Sequence, residues 1–265
     1  MTTYLVLDAE YAIDHDAHQR YLDAERYDPA DRQRLPFKDA RLEPRWPFRR
    51  PVAISWLILA ADDAGVLSPV TMRTTGFPER TEREMLMDLF ADLSSYTELE
   101  LVTWGGAATD IPQLLMAAMR EGIKLPAFLV PMATSFDVRN RRHIDLMLAM
   151  CLGGARVHLA EVAAALDIPV KPIGAPGAVA GYIDSGKWSL VKSVAESDVL
   201  TTAMVLMRHL ALTTGTSTFA AADRLACFAA GMTHQPYAAD FAQYPKRLID
   251  TAFVEARATY DRIAA

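Results

Sequence analysis

The chain opens on an apolar run, Leu5-Val6-Leu7, that leads into Asp8-Ala9-Glu10. Its short length and lack of helical spacing predict a first strand. Residues 14–50 then lose hydrophobic periodicity: they are dense in Asp, Arg, Tyr and Pro, and predict a long charged loop with one helix, about Ala17 to Tyr27. This loop leaves the strand end that carries Asp8 and Glu10. Pro51 to Ala60 (PVAISWLILA) predicts a buried strand, the Asp62–Gly65 segment a turn, and Leu67 to Thr74 a third strand, which together form an antiparallel meander. Helical spacing returns over residues 79–95 through Met85, Leu86, Leu89, Phe90 and Leu93, and Leu99 to Trp104 predicts a strand ending in Gly105-Gly106. Strand, helix and strand in that order predict a crossover onto a parallel strand. Ile111 to Gly122 predicts a helix, His143 to Cys151 an apolar element, Val157 to Leu166 a short amphipathic helix, Pro172 to Gly181 a loop, and Ser189 to Leu210 a long helix. From Phe219 onward the tail is predominantly helical.

Composition narrows the class. With 265 residues and 51% hydrophobic content the chain has material for a large core. No apolar run approaches the ~20 residues of a membrane-spanning helix, and residence in the cytoplasm is the expectation. Cys151 and Cys227 lack metal-site spacing and read as buried free thiols without chemistry. A net charge of -6 argues against coating nucleic acid by bulk attraction, but leaves room for a local basic groove. Two clusters offer one: Arg45, Arg49 and Arg50 interleaved with Trp46 and Phe48, and Arg139, Arg141 and Arg142 with His143.

The candidate chemistry lies in acids. Residues two apart on a strand share a face, so Asp8 and Glu10 converge, and an oxygen-liking dication such as Mg²⁺ or Mn²⁺ would relieve their repulsion. A solvated strand end explains the pair equally well. Asp110 follows the glycine turn and fits a helix N-cap with Pro112 in the first turn, a purely structural role. Asp198 is harder to place at a surface, since it lies among Val194, Ala195, Val199 and Met204, and buried acids need a partner or a metal.

In order along the chain, these acids resemble those of the DEDD exonuclease superfamily, and most closely the predicted 3'-to-5' exonucleases related to the proofreading domain of family-B DNA polymerases. Residues 46–55 (WPFRRPVAIS) resemble that family's LPFHRVVAIS, and 101–114 (LVTWGGAATDIPQL) its LVTFNGRGFDLPVL. His143-Ile144-Asp145-Leu146-Met147 matches a family HIDLM, and 196–202 (ESDVLTT) its ExDVLNT. The resemblance covers about residues 4–210. It implies an α/β ribonuclease-H-like mixed sheet, an antiparallel meander followed by parallel strands, flanked by helices. Residues 1–210 would form the exonuclease domain, with 14–50 as an insertion and 211–265 as a helical C-terminal extension packed on it.

The resemblance also implies that Asp8, Glu10, Asp110 and Asp198 are the catalytic set and hold two Mg²⁺ or Mn²⁺ ions for hydrolysis of phosphodiester bonds at the 3' end of DNA or RNA. Trp104, Arg49, Arg50, Arg141, Arg142 and His143 would contact a single-stranded or 3'-ended nucleic acid, and Asp145 would be structural. The family carries a water-orienting Tyr four residues before the last Asp, or a His five before it. Here those positions are Val194 and Ser193. A slow exonuclease is therefore the leading expectation, and a catalytically degenerate nucleic-acid-binding module the alternative; Val194→Tyr should raise any residual rate. Gly105 and Thr109 replace a family Asn and Phe beside Asp110, and Trp104 could restore the lost aromatic surface.

Overall fold

Strand β1 (Thr3–Ile13) lies at the centre of the sheet, paired along its length on one side and over Thr3–Val6 on the other. In the computed structural model, which describes residues 2–24, 44–134, 142–170, 173 and 177–250, β1 is followed by helix α1 (His15–Ala24), a 3-10 turn at Trp46–Phe48, and strands β2 (Arg49–Ala61) and β3 (Leu67–Gly76). Next come helix α2 (Glu82–Ser95), strand β4 (Leu99–Thr103), helices α3 (Asp110–Glu121) and α4 (Val130–Thr134), and strand β5 (His143–Asp145). Helices α5 (Leu146–Cys151), α6 (Leu159–Ala165), α7 (Ala178–Asp184), α8 (Trp188–Thr214), α9 (Thr218–Ala230) and α10 (Ala238–Ala242) follow, and residues 244–250 are again helical at the end of the described range. The strand order is β3-β2-β1-β4-β5. β1, β2 and β3 are antiparallel, while β4 and β5 run parallel to β1 and to each other. This mixed, helix-flanked sheet is the fold class that the sequence predicts.

Alternation along β1 divides the interior into two cores. Val6 packs with Leu57 and Leu59 of β2 and with the apolar face of α8, including Val199, Leu200 and Ala203. Leu5, Leu7 and Ala9 pack on the other face against α2 and α3 through Leu86, Leu89, Ile111 and Leu114. Helix ends follow local chemistry: Thr81 and Glu84 close a reciprocal capping box before α2, and Gly122 ends α3 at φ +61°, a left-handed value that glycine adopts without steric cost. Ala221, Ala222 and Leu225 of α9 and Phe241 of α10 join the α8 core.

Some expected boundaries move. α1 starts at His15, and the rest of the helix expected to reach Tyr27 lies outside the described residues. The His143–Cys151 element is two elements, divided at Asp145, whose carboxylate caps α5 by accepting from the Leu148 N–H at 3.1 Å. Part of the expected 172–181 loop is helix α7, where Val179 and Tyr182 pack on the core and outweigh the glycine signals. The thiols are not buried as expected: Cys151 is half-buried and Cys227 exposed, because α9 buries the side chains of Ala222, Leu225, Ala226 and Ala229 instead.

Candidate functional site

Parallel pairing between β1 and β4 ends at Val6 and Val102. Beyond it β1 continues alone on that side, so Asp8 and Glu10 project where β4 turns away into its glycine loop. Both share the face of Val6, across which α8 runs. One carboxylate oxygen each from Asp8, Glu10 and Asp198 lie within 4.8 Å of one another, and all three residues are half-buried. Six-coordinate Mg²⁺ places its oxygen ligands at about 2.1 Å, so opposite ligands stand about 4.2 Å apart. The triad is close enough for one such shell after small side-chain rotations, and its all-oxygen donor set suits a hard dication.

Asp110 stands apart from this triad and is tied to it through Tyr11. The tyrosine follows Glu10, points to the opposite face of β1, and donates its hydroxyl to Asp110 Oδ1 at 3.2 Å. Burial, reinforced by the Asp110 charge and then by Asp8 and Glu10, holds the Tyr11 hydroxyl well above its ordinary pKa. Burial likewise pushes the Asp110 carboxyl up to about 6, against the hydrogen bonds from Tyr11 and Thr109 and with a further push from Asp145. Asp110 is the first residue of α3 rather than its cap. The Thr109 hydroxyl lies 3.0 Å from the Gly105 carbonyl oxygen and 3.3 Å from Asp110 Oδ2, one proton facing two acceptors.

The loop that delivers Asp110 is held from β5. Asp145 accepts from the Gly105 and Ala107 N–H groups, both at 3.0 Å. Thr103 Oγ1 accepts from the Gly106 N–H at 3.1 Å and lies 2.9 Å from His143 Nε2. Gly105 sits at φ +71°, where glycine and asparagine are the favoured residues, and a Cβ at Gly106 would collide with the Thr103 side chain.

A cleft of about 370 Å³ opens over the acids, lined by Asp8, Asp198, Trp104, Thr109, Arg156 and His158 among others. Trp104 is oriented by donation from its indole N–H to the Val157 carbonyl at 3.3 Å. The remaining predicted contact residues are placed elsewhere. Arg50 is tied to Asp14 at 2.7 Å and to Glu82 at 3.3 Å, beyond the Glu10 end of β1. Arg49 is exposed beside it. Arg142 bonds Glu100 at 3.2 Å and the Thr97 carbonyl at 3.0 Å, at the opposite end of β4 from the acids. His143 lines a separate cleft with Trp46 and Ile111, and Arg139 and Arg141 lie outside the described residues. Val194 is 7% exposed within the α8 core, and Ser193 donates to Gln235 Oε1 at 3.0 Å. Sequence reading passed over Tyr11 and Arg156; the strand position of Tyr11 beside Glu10 was the available signal for the first, and none marked the second.

A family model described as a predicted 3'-5' exonuclease related to the exonuclease domain of PolB matches residues 44–246. The chain belongs to this family. The match to these PolB-related exonucleases takes in Asp110, Val194 and Asp198 together with α9 and α10, and begins after Asp8 and Glu10. Among solved structures, the family B DNA polymerase of the hyperthermophilic archaeon Pyrobaculum calidifontis aligns at TM-score 0.48 and 12% identity, over 88% of this chain and 29% of that one. E. coli exonuclease I in complex with a dT13 oligonucleotide aligns at TM-score 0.43 and 12% identity, over 81% of this chain and 42% of that one. This family member thus spans less than half the length of either chain. No curated protein matches its sequence.

Proposed function

We propose that the chain shortens single-stranded or 3'-ended DNA or RNA from the 3' end by Mg²⁺- or Mn²⁺-dependent hydrolysis. The observation that carries this reading is the convergence of Asp8, Glu10 and Asp198 within 4.8 Å, with Asp8 and Asp198 lining the cleft. Divalent cations bound there supply charge neutralisation at the scissile phosphate and acidify the attacking water. Asp8, Glu10 and Asp198 hold the cations, and Asp110, fixed by Tyr11, completes the acidic set. Trp104 offers a ring for stacking the terminal base, and a cleft of about 370 Å³ falls in the range of small-ligand sites, about 300–1,000 Å³.

The test is incubation of 5'-labelled single-stranded DNA and RNA with the protein and Mn²⁺ or Mg²⁺. Stepwise shortening from the 3' end, removed by Asp8→Asn and by Asp198→Asn, is the expected result. Binding with no shortening under either metal would leave the degenerate binding module, the reading that Val194 and Ser193 favour.

A further inference from the structure

The helix position that carries a Tyr or His in related enzymes is closed: Val194 is packed in the core and Ser193 is bonded to Gln235. A water poised over the acids must therefore find its polar partner on another wall of the cleft. Of the chain's six histidines, His158 alone lines that cleft, and among the described residues no tyrosine does. His143 faces Thr103 and a different cleft, Tyr11 is bonded to Asp110, and Tyr182 packs on the core.

His158 stands on the segment joining α5 to α6, just before α6. Its backbone N–H donates to Glu161 Oε2 at 2.7 Å, which fixes the turn, and the following Leu159 is buried. The preceding Val157 carbonyl holds Trp104, so the backbone around His158 is anchored at both ends while the ring is exposed to the cleft. Arg156, two residues earlier, is exposed at the same wall. Arg50 and Arg142, by contrast, are bonded to acids.

We infer that the Arg156–His158 segment takes over the work of the missing helix residue. This role rests on the exonuclease reading. His158 accepts a proton from the attacking water at a ring nitrogen, and the water oxygen bonds to phosphorus. The P–O3' bond breaks with its electron pair going to the 3' oxygen, which takes a proton from solvent. The products are a nucleoside 5'-monophosphate and a chain shortened by one. Arg156 pairs with the scissile phosphate and holds it for in-line attack. Among the described residues, Arg156, Asp8 and Asp198 are the charged groups that line the cleft with His158, and Glu161 holds its backbone N–H.

The experiment compares wild type, His158→Ala and Arg156→Ala on 5'-labelled single-stranded DNA with Mn²⁺, after thermal unfolding has confirmed that each variant folds. His158→Ala should lower kcat about 10² to 10⁴-fold at neutral pH with little change in KM. Arg156→Ala should act mainly on KM. A His158→Ala enzyme with an unchanged kcat overturns this role alone. No shortening by wild type overturns the exonuclease reading and this role with it.

Discussion

Glu196 and Asp198 stand two residues apart on α8, about 200° around the helix, and their surroundings are opposite. Glu196 is 7% exposed and accepts a 2.5 Å hydrogen bond from the hydroxyl of the fully buried Tyr237, from the segment between α9 and α10. Burial and the Glu196 charge raise the Tyr237 pKa, so the phenol remains the donor. Asp198 instead faces Asp8 and Glu10, two groups of its own charge. One acid is satisfied by a neutral donor and locks the C-terminal helices to α8. The other stands among like charges that a cation would offset. That difference separates an acid that holds the fold from an acid available to a cation, although both are embedded in the same apolar helix.

The sharpest way to break this distinction is the pair Asp198→Asn and Glu196→Gln. Asp198→Asn should lower exonuclease activity by about 10² to 10³-fold, the loss expected when one charge-stabilising group leaves a site. Mn²⁺ at 100 times its Kd should stabilise wild type by about 2.7 kcal/mol, and that increment should vanish in Asp198→Asn. Glu196→Gln retains an acceptor for Tyr237 and should keep its rate per folded molecule. Equal losses of rate in the two variants would show that both acids serve the chemistry.

The sheet was legible because its strands alternate or run apolar between clear turns, and β1, β2 and β3 emerge near their predicted limits. Asp8, Glu10 and Asp198 were legible for a similar reason: strand periodicity pairs the first two, and an acid in an apolar helix asks for a partner. Arg50 and Arg142 show where sequence fails. Their charge is visible along the chain, but whether an arginine faces a cleft or an acid depends on contacts such as Asp14 and Glu100, which no local pattern encodes. On the wall that closes the cleft Arg156 was equally hidden, since it follows Gly153-Gly154 just ahead of the periodic Val157–Leu166 segment. Tyr11 escaped because attention to one face of β1 misses the hydroxyl that reaches Asp110 from the other.

Asp110 gives a second, smaller contrast with Glu196. Its carboxyl is pushed up to about 6 by burial, above the ordinary 3.9 of the unfolded chain. Between those values the metal-free native state binds more protons than the unfolded state, so stability falls as pH rises from about 4 to about 6. The full effect is at most roughly 3 kcal/mol for a shift of about two pH units. Thermal unfolding of the metal-free protein should show that decline, and Asp110→Asn should flatten it while Tyr11 keeps a carbonyl acceptor. An unchanged slope in the variant would place the titration on another group. Tyr11→Phe should steepen the pH dependence, because it removes a bond that favours the ionised carboxylate.

Tyr237→Phe and Val194→Tyr test the buried packing around α8, with effects confined to stability. Removing the Tyr237 hydroxyl leaves the Glu196 carboxylate buried without its donor and should cost about 1–3 kcal/mol in denaturant unfolding, with little change in rate per folded molecule. The Val194→Tyr expectation reverses once packing is considered. Val194 shares a core with Val199, Leu200 and Ala203, so a phenol there must displace neighbours, at about 1–3 kcal/mol for an overpacked site. Its hydroxyl would be driven into that core, and the rate per folded molecule should not rise. A rise would mean that this face of α8 opens onto the water over the acids, which would return the proton-accepting role to the helix and take it from His158.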